Sequence, residues 1–134
     1  MLLLDTCVIS EGARPRPDQT VVSWMTSQDT GQLFVSAITL GELHYGAALL
    51  PQGAKRRSLE KWVEDLEHRF AGRIIVLDDA VASRWGKLRA IHPNIPVVDA
   101  QIAATALAFG MTFVTRNVKD FRIKGLTVIN PWDR

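Results

Sequence analysis

Leu2-Leu3-Leu4-Asp5-Thr6-Cys7-Val8-Ile9-Ser10-Glu11 follows the initial Met1, and its first four residues decide the fold. Leu2-Leu3-Leu4 is an unbroken apolar run that ends in a polar turn. A strand wetted on one face alternates apolar and polar residues, whereas one covered on both faces reads as a continuous run. This is therefore the pattern of a buried parallel strand. Runs of the same kind recur at Leu33-Phe34-Val35, Ile74 to Leu77, Thr112 to Thr115 and Leu126 to Ile129, with segments of helical spacing between most of them. Alternation of strand and helix predicts an α/β fold, a three-layer α/β/α sandwich around a mostly parallel sheet of about five strands.

The intervening segments carry their own signals. From Pro17 to Gln28 the positions of Val21, Val22, Trp24 and Met25 suit a helix with Asp18 as its cap and Gly31 as its close. Thr39 followed by Glu42 has the S/T-x-x-E spacing of a capping box, opening a helix that carries Leu40, Leu43, Ala47 and Leu50 before Pro51 stops it. Leu59, Trp62, Val63, Leu66 and Phe70 predict a helix from Ala54 to Phe70, ended by Gly72. Asp78 and Asp79 signal the start of another through Val81, Trp85 and Leu88. His92 to Pro96 reads as a loop, and Asp99 begins an alanine-rich helix, Ala100 to Phe109, closed by Gly110.

The chain of 134 residues suits one domain over 1–134, and 47% hydrophobic with 22% charged residues argues against disorder, collagen-like repeats and coiled coil. Cys7 is the only cysteine, so an intrachain disulfide and a cysteine-based zinc site are both excluded, and a reducing compartment is expected. The apolar start is halted by Asp5 and has no basic segment before it. It is too short for a signal peptide or a membrane span, so a cytoplasmic protein without membrane contact is expected. A net charge of +2 permits a polyanionic partner without identifying one.

Open parallel sheets bind ligands beyond the carboxyl ends of their strands. That rule selects Asp5 after the first strand, Glu42 in the first turn of the helix after the second, Asp99 at a helix start, and Asn117 and Asp120 after the fourth strand. Two unit charges about 5 Å apart repel by roughly 3 kcal/mol at an effective dielectric of about 20, so four converging carboxylates must take up protons or metal. A set of hard oxygen donors without cysteine or histidine favours Mg²⁺ or Mn²⁺ over zinc. Each acid also has a plainer role: Asp5 as a helix or turn cap, Glu42 as the second half of the Thr39 box, and Asp99 as an N-cap. Asp120, with Arg116, Lys119, Arg122 and Lys124, reads equally as a solvated loop. His44, His68 and His92 are scattered and read as structural or exposed, Lys55-Arg56-Arg57 as a helix surface, and Cys7 as a small buried residue.

Four segments taken in order change that balance: Leu4-Asp5-Thr6-Cys7-Val8-Ile9-Ser10-Glu11, Ser36-Ala37-Ile38-Thr39-Leu40-Gly41-Glu42-Leu43, Val97-Val98-Asp99-Ala100-Gln101-Ile102-Ala103-Ala104-Thr105-Ala106 and Thr115-Arg116-Asn117-Val118-Lys119-Asp120-Phe121. Over nearly the whole chain they resemble the PIN-domain family, and the ending Val128-Ile129-Asn130-Pro131-Trp132 resembles its VapC/FitB-type branch. The resemblance implies a Mg²⁺-dependent ribonuclease, with Mn²⁺ as the alternative ion, acting as the toxin of a bacterial type II toxin–antitoxin pair. It implies RNA as substrate, a homodimer, and a cognate antitoxin that inhibits the enzyme and carries the DNA binding, since no helix-turn-helix is legible in this chain.

By position, Asp5, Glu42 and Asp99 match the family's three principal acids, with Asp5 and Asp99 as the metal ligands. Where many members carry a fourth Asp this chain has Asn117, and Asp120 three residues on is expected to supply the missing charge. Cys7 departs from the Asn common after Asp-Thr. Thr6, Ser10 and Thr115 are expected to orient the acids through their hydroxyls, and Asn117 and Arg116 (or Lys119) to reach the substrate or its phosphates. The implied reaction is in-line attack of water on a phosphodiester, with a carboxylate such as Asp99 or Asp120 taking the proton. A non-catalytic binding module on the same fold is the alternative. An aspartate-based phosphoryl-transfer protein fits less well, since Cys7 stands where a phosphatase of that type has a second Asp, and Asn130-Pro131 where a receiver has its lysine.

Overall fold

The three leucines near the start of the chain form β1 (Leu2–Leu4), the central strand of a five-stranded sheet. A computed structural model describes residues 1–133, so the last residue of the expected 1–134 span lies outside the described part. After β1 come α1 (Thr6–Glu11), α2 (Gln19–Ser27), β2 (Leu33–Ser36), α3 (Ala37–Ala48), α4 (Ala54–Arg69), β3 (Ile74–Ile75), α5 (Asp79–Ile91), α6 (Val97–Phe109), β4 (Thr112–Val114) and β5 (Val128–Ile129). The strand order is β3-β2-β1-β4-β5, and all four pairings are parallel.

The continuous apolar runs follow from two-sided coverage. Leu3 and Phe113 face one side, where they meet Val81 and Leu88 of α5 and Ala100, Ala103 and Ala104 of α6. Leu4 and Val114, their neighbours along the strands, face the other, where Val8 and Ile9 of α1, Trp24 of α2 and Leu66 of α4 cover them. Successive side chains of a strand point to opposite faces, so both residues must be apolar when both faces are dry. The alanines let α6 lie close against β1 and β4, and any larger side chain there would meet a packed interior that costs about 1–3 kcal/mol to overfill.

Several local expectations give way to tertiary context. The Thr39–Glu42 capping box does not form: Ser36 is the N-cap, its hydroxyl accepting the Ile38 N–H at 3.1 Å, and both members of the expected box lie inside α3. β2 runs directly into α3 with no loop, which moves the helix start three residues back. Likewise Asp99 is the third residue of α6 and not its cap, since Pro96 holds that position without a side-chain bond. Gly31 lies in a 3₁₀ turn, Thr30–Gln32, and the helix it was expected to close ends at Gln28. Gly110 does close α6, in the left-handed region at φ 62°. The short α1 has no counterpart among the helices legible in the sequence, and the third and fifth strands hold only two residues each.

Candidate active site

β1 and β4 are neighbours, yet the segments that follow them leave toward opposite faces. Val8 and Ile9 after β1 pack into one core cluster, and Phe121 and Ile123 after β4 into the other. Such a reversal opens a crevice at the carboxyl ends of the two strands, the usual ligand position in an open parallel sheet. Asp5 stands in it, only 7% exposed.

Each oxygen of Asp5 is held. Its backbone N–H extends the ladder to the Val114 carbonyl at 2.9 Å, and its extended backbone then turns into α1. Oδ1 accepts the Thr6 N–H at 2.8 Å, which fulfils the role of helix cap. Oδ2 accepts the Thr115 hydroxyl at 2.7 Å, across the strand reversal, with the Cys7 thiol donating from 3.6 Å. The Thr115 oxygen receives the Asn117 N–H at 3.1 Å, which leaves its own proton for Asp5. Burial, and then the charge of Asp5, push the Cys7 thiol upward, so it stays protonated as a donor.

Glu42, in the second turn of α3, is tied to the same place. The Thr6 hydroxyl donates to its Oε1 at 2.5 Å, with the Thr39 hydroxyl 3.4 Å from the Thr6 oxygen. Thr6 thus links both carboxylates, through its N–H to Asp5 and through its hydroxyl to Glu42.

Asp99 and Asp120 are held differently. Neither side chain has a hydrogen-bond or ion-pair partner among the described residues. The Asp99 carboxyl is raised above its ordinary value of 3.8, first by partial burial and then by the charges of Asp5, Glu42 and Asp120. A helix N-terminus favours a carboxylate. Here burial and like charge outweigh that dipole, and Asp99 and Asp120 border one hollow of about 430 Å³.

The remaining candidates divide. Thr115 and Thr6 orient acids as described, whereas Ser10 turns its hydroxyl back to the Thr6 carbonyl at 2.6 Å and touches no carboxylate. Asn117 is exposed at the start of the 3₁₀ turn Val118–Phe121, contributing its backbone N–H while its side chain caps nothing. The Arg116 guanidinium lies over the Trp132 ring at 5.0 Å and borders, with Cys7 and Arg14, a hollow of about 330 Å³. Glu11 gave no functional signal, yet it is nearly buried, and its carboxylate accepts the Asp18 N–H at 2.8 Å and pairs with Arg14 at 3.4 Å. Glu11 ends α1, a helix the sequence did not reveal, so no sequence signal pointed to its role in tying α1 to α2.

Among the described residues no three His, Cys, Asp or Glu side chains form a ready-made metal cage. The donor set still fits a hard divalent ion. Mg²⁺ commonly rests on one or two carboxylates and keeps several waters. Asp5 offers a fixed carboxylate, and Asp99 an unbonded one whose charge the neighbouring acids disfavour. Among the described residues no helix is long and apolar enough to cross a membrane.

Comparison with known proteins agrees with this fold. A family model described as "PIN domain" matches residues 2–125. The chain is 39% identical over 137 residues to Toxin FitB of Neisseria gonorrhoeae, covering 98% of this chain and 99% of that protein. It is 36% identical over 138 residues to VapC ribonuclease Y4jK of Sinorhizobium fredii, covering 99% of each. Among solved structures, a chain of FitAB bound to an IR36 DNA fragment superposes with a TM-score of 0.91 at 40% identity, covering 98% of this chain and 96% of that one. By the extent of these matches and by its fold, the chain belongs to the PIN domain family.

Proposed function

We infer that this chain is a divalent-metal-dependent ribonuclease of the toxin type, one PIN domain over 1–134 that hydrolyses RNA phosphodiester bonds with Asp5, Glu42, Asp99 and Asp120. The observations that support the reading are two pairs of acids, Asp5 and Glu42 immobilised by Thr6 and Thr115, and Asp99 and Asp120 unbonded along one hollow. The names of its relatives, a VapC ribonuclease and a toxin, support the reaction class. The DNA-bound FitAB assembly supports a cognate antitoxin that inhibits the enzyme and contributes DNA contacts. Tyr45 on α3 and Leu49 at its C-cap, about one turn apart and each 67% exposed, support a homodimer.

Asp5 and Asp99 would hold Mg²⁺ or Mn²⁺, which when bound supplies positive charge against the phosphate and its developing negative charge. The chain supplies the rest. Asp5 is a stationary acceptor, fixed by Thr6 and Thr115 so that no reorganisation is needed as the reaction proceeds. Glu42 keeps the Thr6 hydroxyl, and with it the Asp5 cap, in one position. Asp120, exposed and unbonded, or the Asp99 oxygen not committed to the ion, would take a proton from the attacking water. Arg116, exposed over Trp132 on the hollow that Cys7 also borders, would receive a neighbouring phosphate.

The test is cleavage of a panel of structured and single-stranded RNAs by the purified protein with Mg²⁺, with EDTA, and by Asp99→Ala. Cleavage that needs the metal and disappears in the variant is expected. Binding of Mg²⁺ without cleavage of any RNA would instead favour a non-catalytic PIN-fold module.

A further inference from the structure

Beside the acids runs a second groove that the reaction as described does not use. It has a volume of about 670 Å³ and lies between α5, the end of α6 and the segment leading to β5. Arg84 and Lys87 of α5 and Lys124 from the opposite wall are exposed along it, while Leu88, Leu107 and Ile123 form its apolar floor. No Asp or Glu lines it, and among the described residues none of the three cations is engaged in an ion pair or a side-chain hydrogen bond. Uncompensated like charges on one wall repel each other, so the groove is electrostatically prepared for an anion.

Its direction narrows the choice of anion. Ile91 and His92 line this groove and also a second hollow of about 430 Å³, and that hollow is bounded by Asp99 and Asp120. The cationic groove therefore adjoins the hollow that Asp99 and Asp120 border. Arg84, Lys87 and Ile91 recur every three or four residues, so they lie in one row on α5 that spans about 10 Å at 1.5 Å per residue. A row of cations over an apolar floor suits a chain carrying regularly spaced anions with apolar faces between them.

We propose that this groove is the approach track for the RNA strand, with Arg84, Lys87 and Lys124 binding phosphates of nucleotides beyond the one being cut. The proposal rests on the ribonuclease reading and adds a binding site to it. No Phe, Tyr or Trp side chain lines the groove, so it offers no large stacking platform for bases. Phosphate contacts without stacking or base-edge readout strengthen binding about equally for all sequences. The track thus supplies affinity and direction, and the choice of target lies elsewhere.

The experiment measures binding of fluorescent single-stranded RNAs of two unrelated sequences over a salt series, in an Asp99→Asn background so that the RNA survives. Arg84→Ala/Lys87→Ala is compared with Lys55→Ala/Arg57→Ala, a pair of exposed α4 positions removing the same charge. The track pair should weaken both RNAs by about tenfold or more and flatten the log–log salt slope by about 1.4, two phosphate contacts at roughly 0.7 each. Adding Lys124→Ala should flatten it further, and the α4 pair should change little. Equal losses in both pairs, or an unchanged affinity and slope in the track pair, would overturn the track even where the unsubstituted protein cleaves. RNA held through Arg84 and Lys87 but never cut by the unsubstituted protein would support the track while counting against the reaction.

Discussion

The acids at the carboxyl edge of the sheet fall into two halves built on opposite principles. Asp5 and Glu42 are anchored, with Thr6 and Thr115 presenting donors to three of their four oxygens. Asp99 and Asp120 stand on the other side with no bonded partner among the described residues, and the Asp99 carboxyl is raised by burial and by its three acidic neighbours. A site that must hold an ion and also move a proton needs both kinds of group. The anchored half gives geometry without reorganisation, and the unbonded half gives a charge that the fold alone does not satisfy.

Substitutions that treat the two halves differently sharpen this contrast. The largest effect is expected from Asp5→Ala. Ion-assisted stabilisation worth several kcal/mol corresponds to a loss of cleavage of about 10³-fold or more. The change also leaves the Thr6 N–H and the Thr115 hydroxyl without their acceptor, so thermal denaturation should show a lower Tm by several degrees. Glu42→Gln keeps an oxygen for Thr6 while removing the charge. Cleavage should fall by about 10–100-fold with Tm nearly unchanged, and a large drop in Tm would mean the glutamate is mainly structural. Thr115→Val removes the donor to Asp5 Oδ2, and at about 1–2 kcal/mol for one buried bond the expected loss is about tenfold in rate. The smallest effect belongs to Asp120→Asn, a few-fold loss measured by initial rates. Full activity there would assign the fourth position to Asn117 alone.

All four acids were legible in the sequence by position, but which of them the fold anchors and which it leaves unbonded was not. Leu2–Leu4 reads as a buried strand because both faces are covered, and an acid after such a strand is placed by the topology of parallel sheets. Glu42 was readable by position but carried a misleading local signal. The Thr39–Glu42 spacing is that of a capping box, yet Ser36 starts the helix and Glu42 faces Thr6, 36 residues away in the chain. Local spacing lost to a contact that only the tertiary fold creates. The six residues of α1 are too few for periodicity to declare a helix, so the cap geometry of Asp5 was open until the fold was known. Asp99 and Asp120 were readable by position, at a helix start and after the fourth strand, but nothing in their spacing reveals that both side chains are left without a bonded partner. Arg84 and Lys87 carry no signal of their own in the sequence, and only the fold sets Lys124 opposite them.

The most direct test of the two-halves account is thermal denaturation of the unsubstituted protein and of Asp99→Asn across pH, with and without Mg²⁺, alongside cleavage. A carboxyl raised in the folded state binds its proton more tightly there than in the unfolded chain. Its contribution to stability is therefore fully present below about pH 4 and is lost as pH rises through the folded-state value. Without metal, Asp99→Asn should match the parent at acid pH and exceed it by a few degrees at neutral pH, while cleaving no RNA. Added Mg²⁺ should raise the Tm of the parent and leave that of the variant nearly unchanged. A variant that melts lower than the parent at neutral pH, or that still cleaves, would contradict the account.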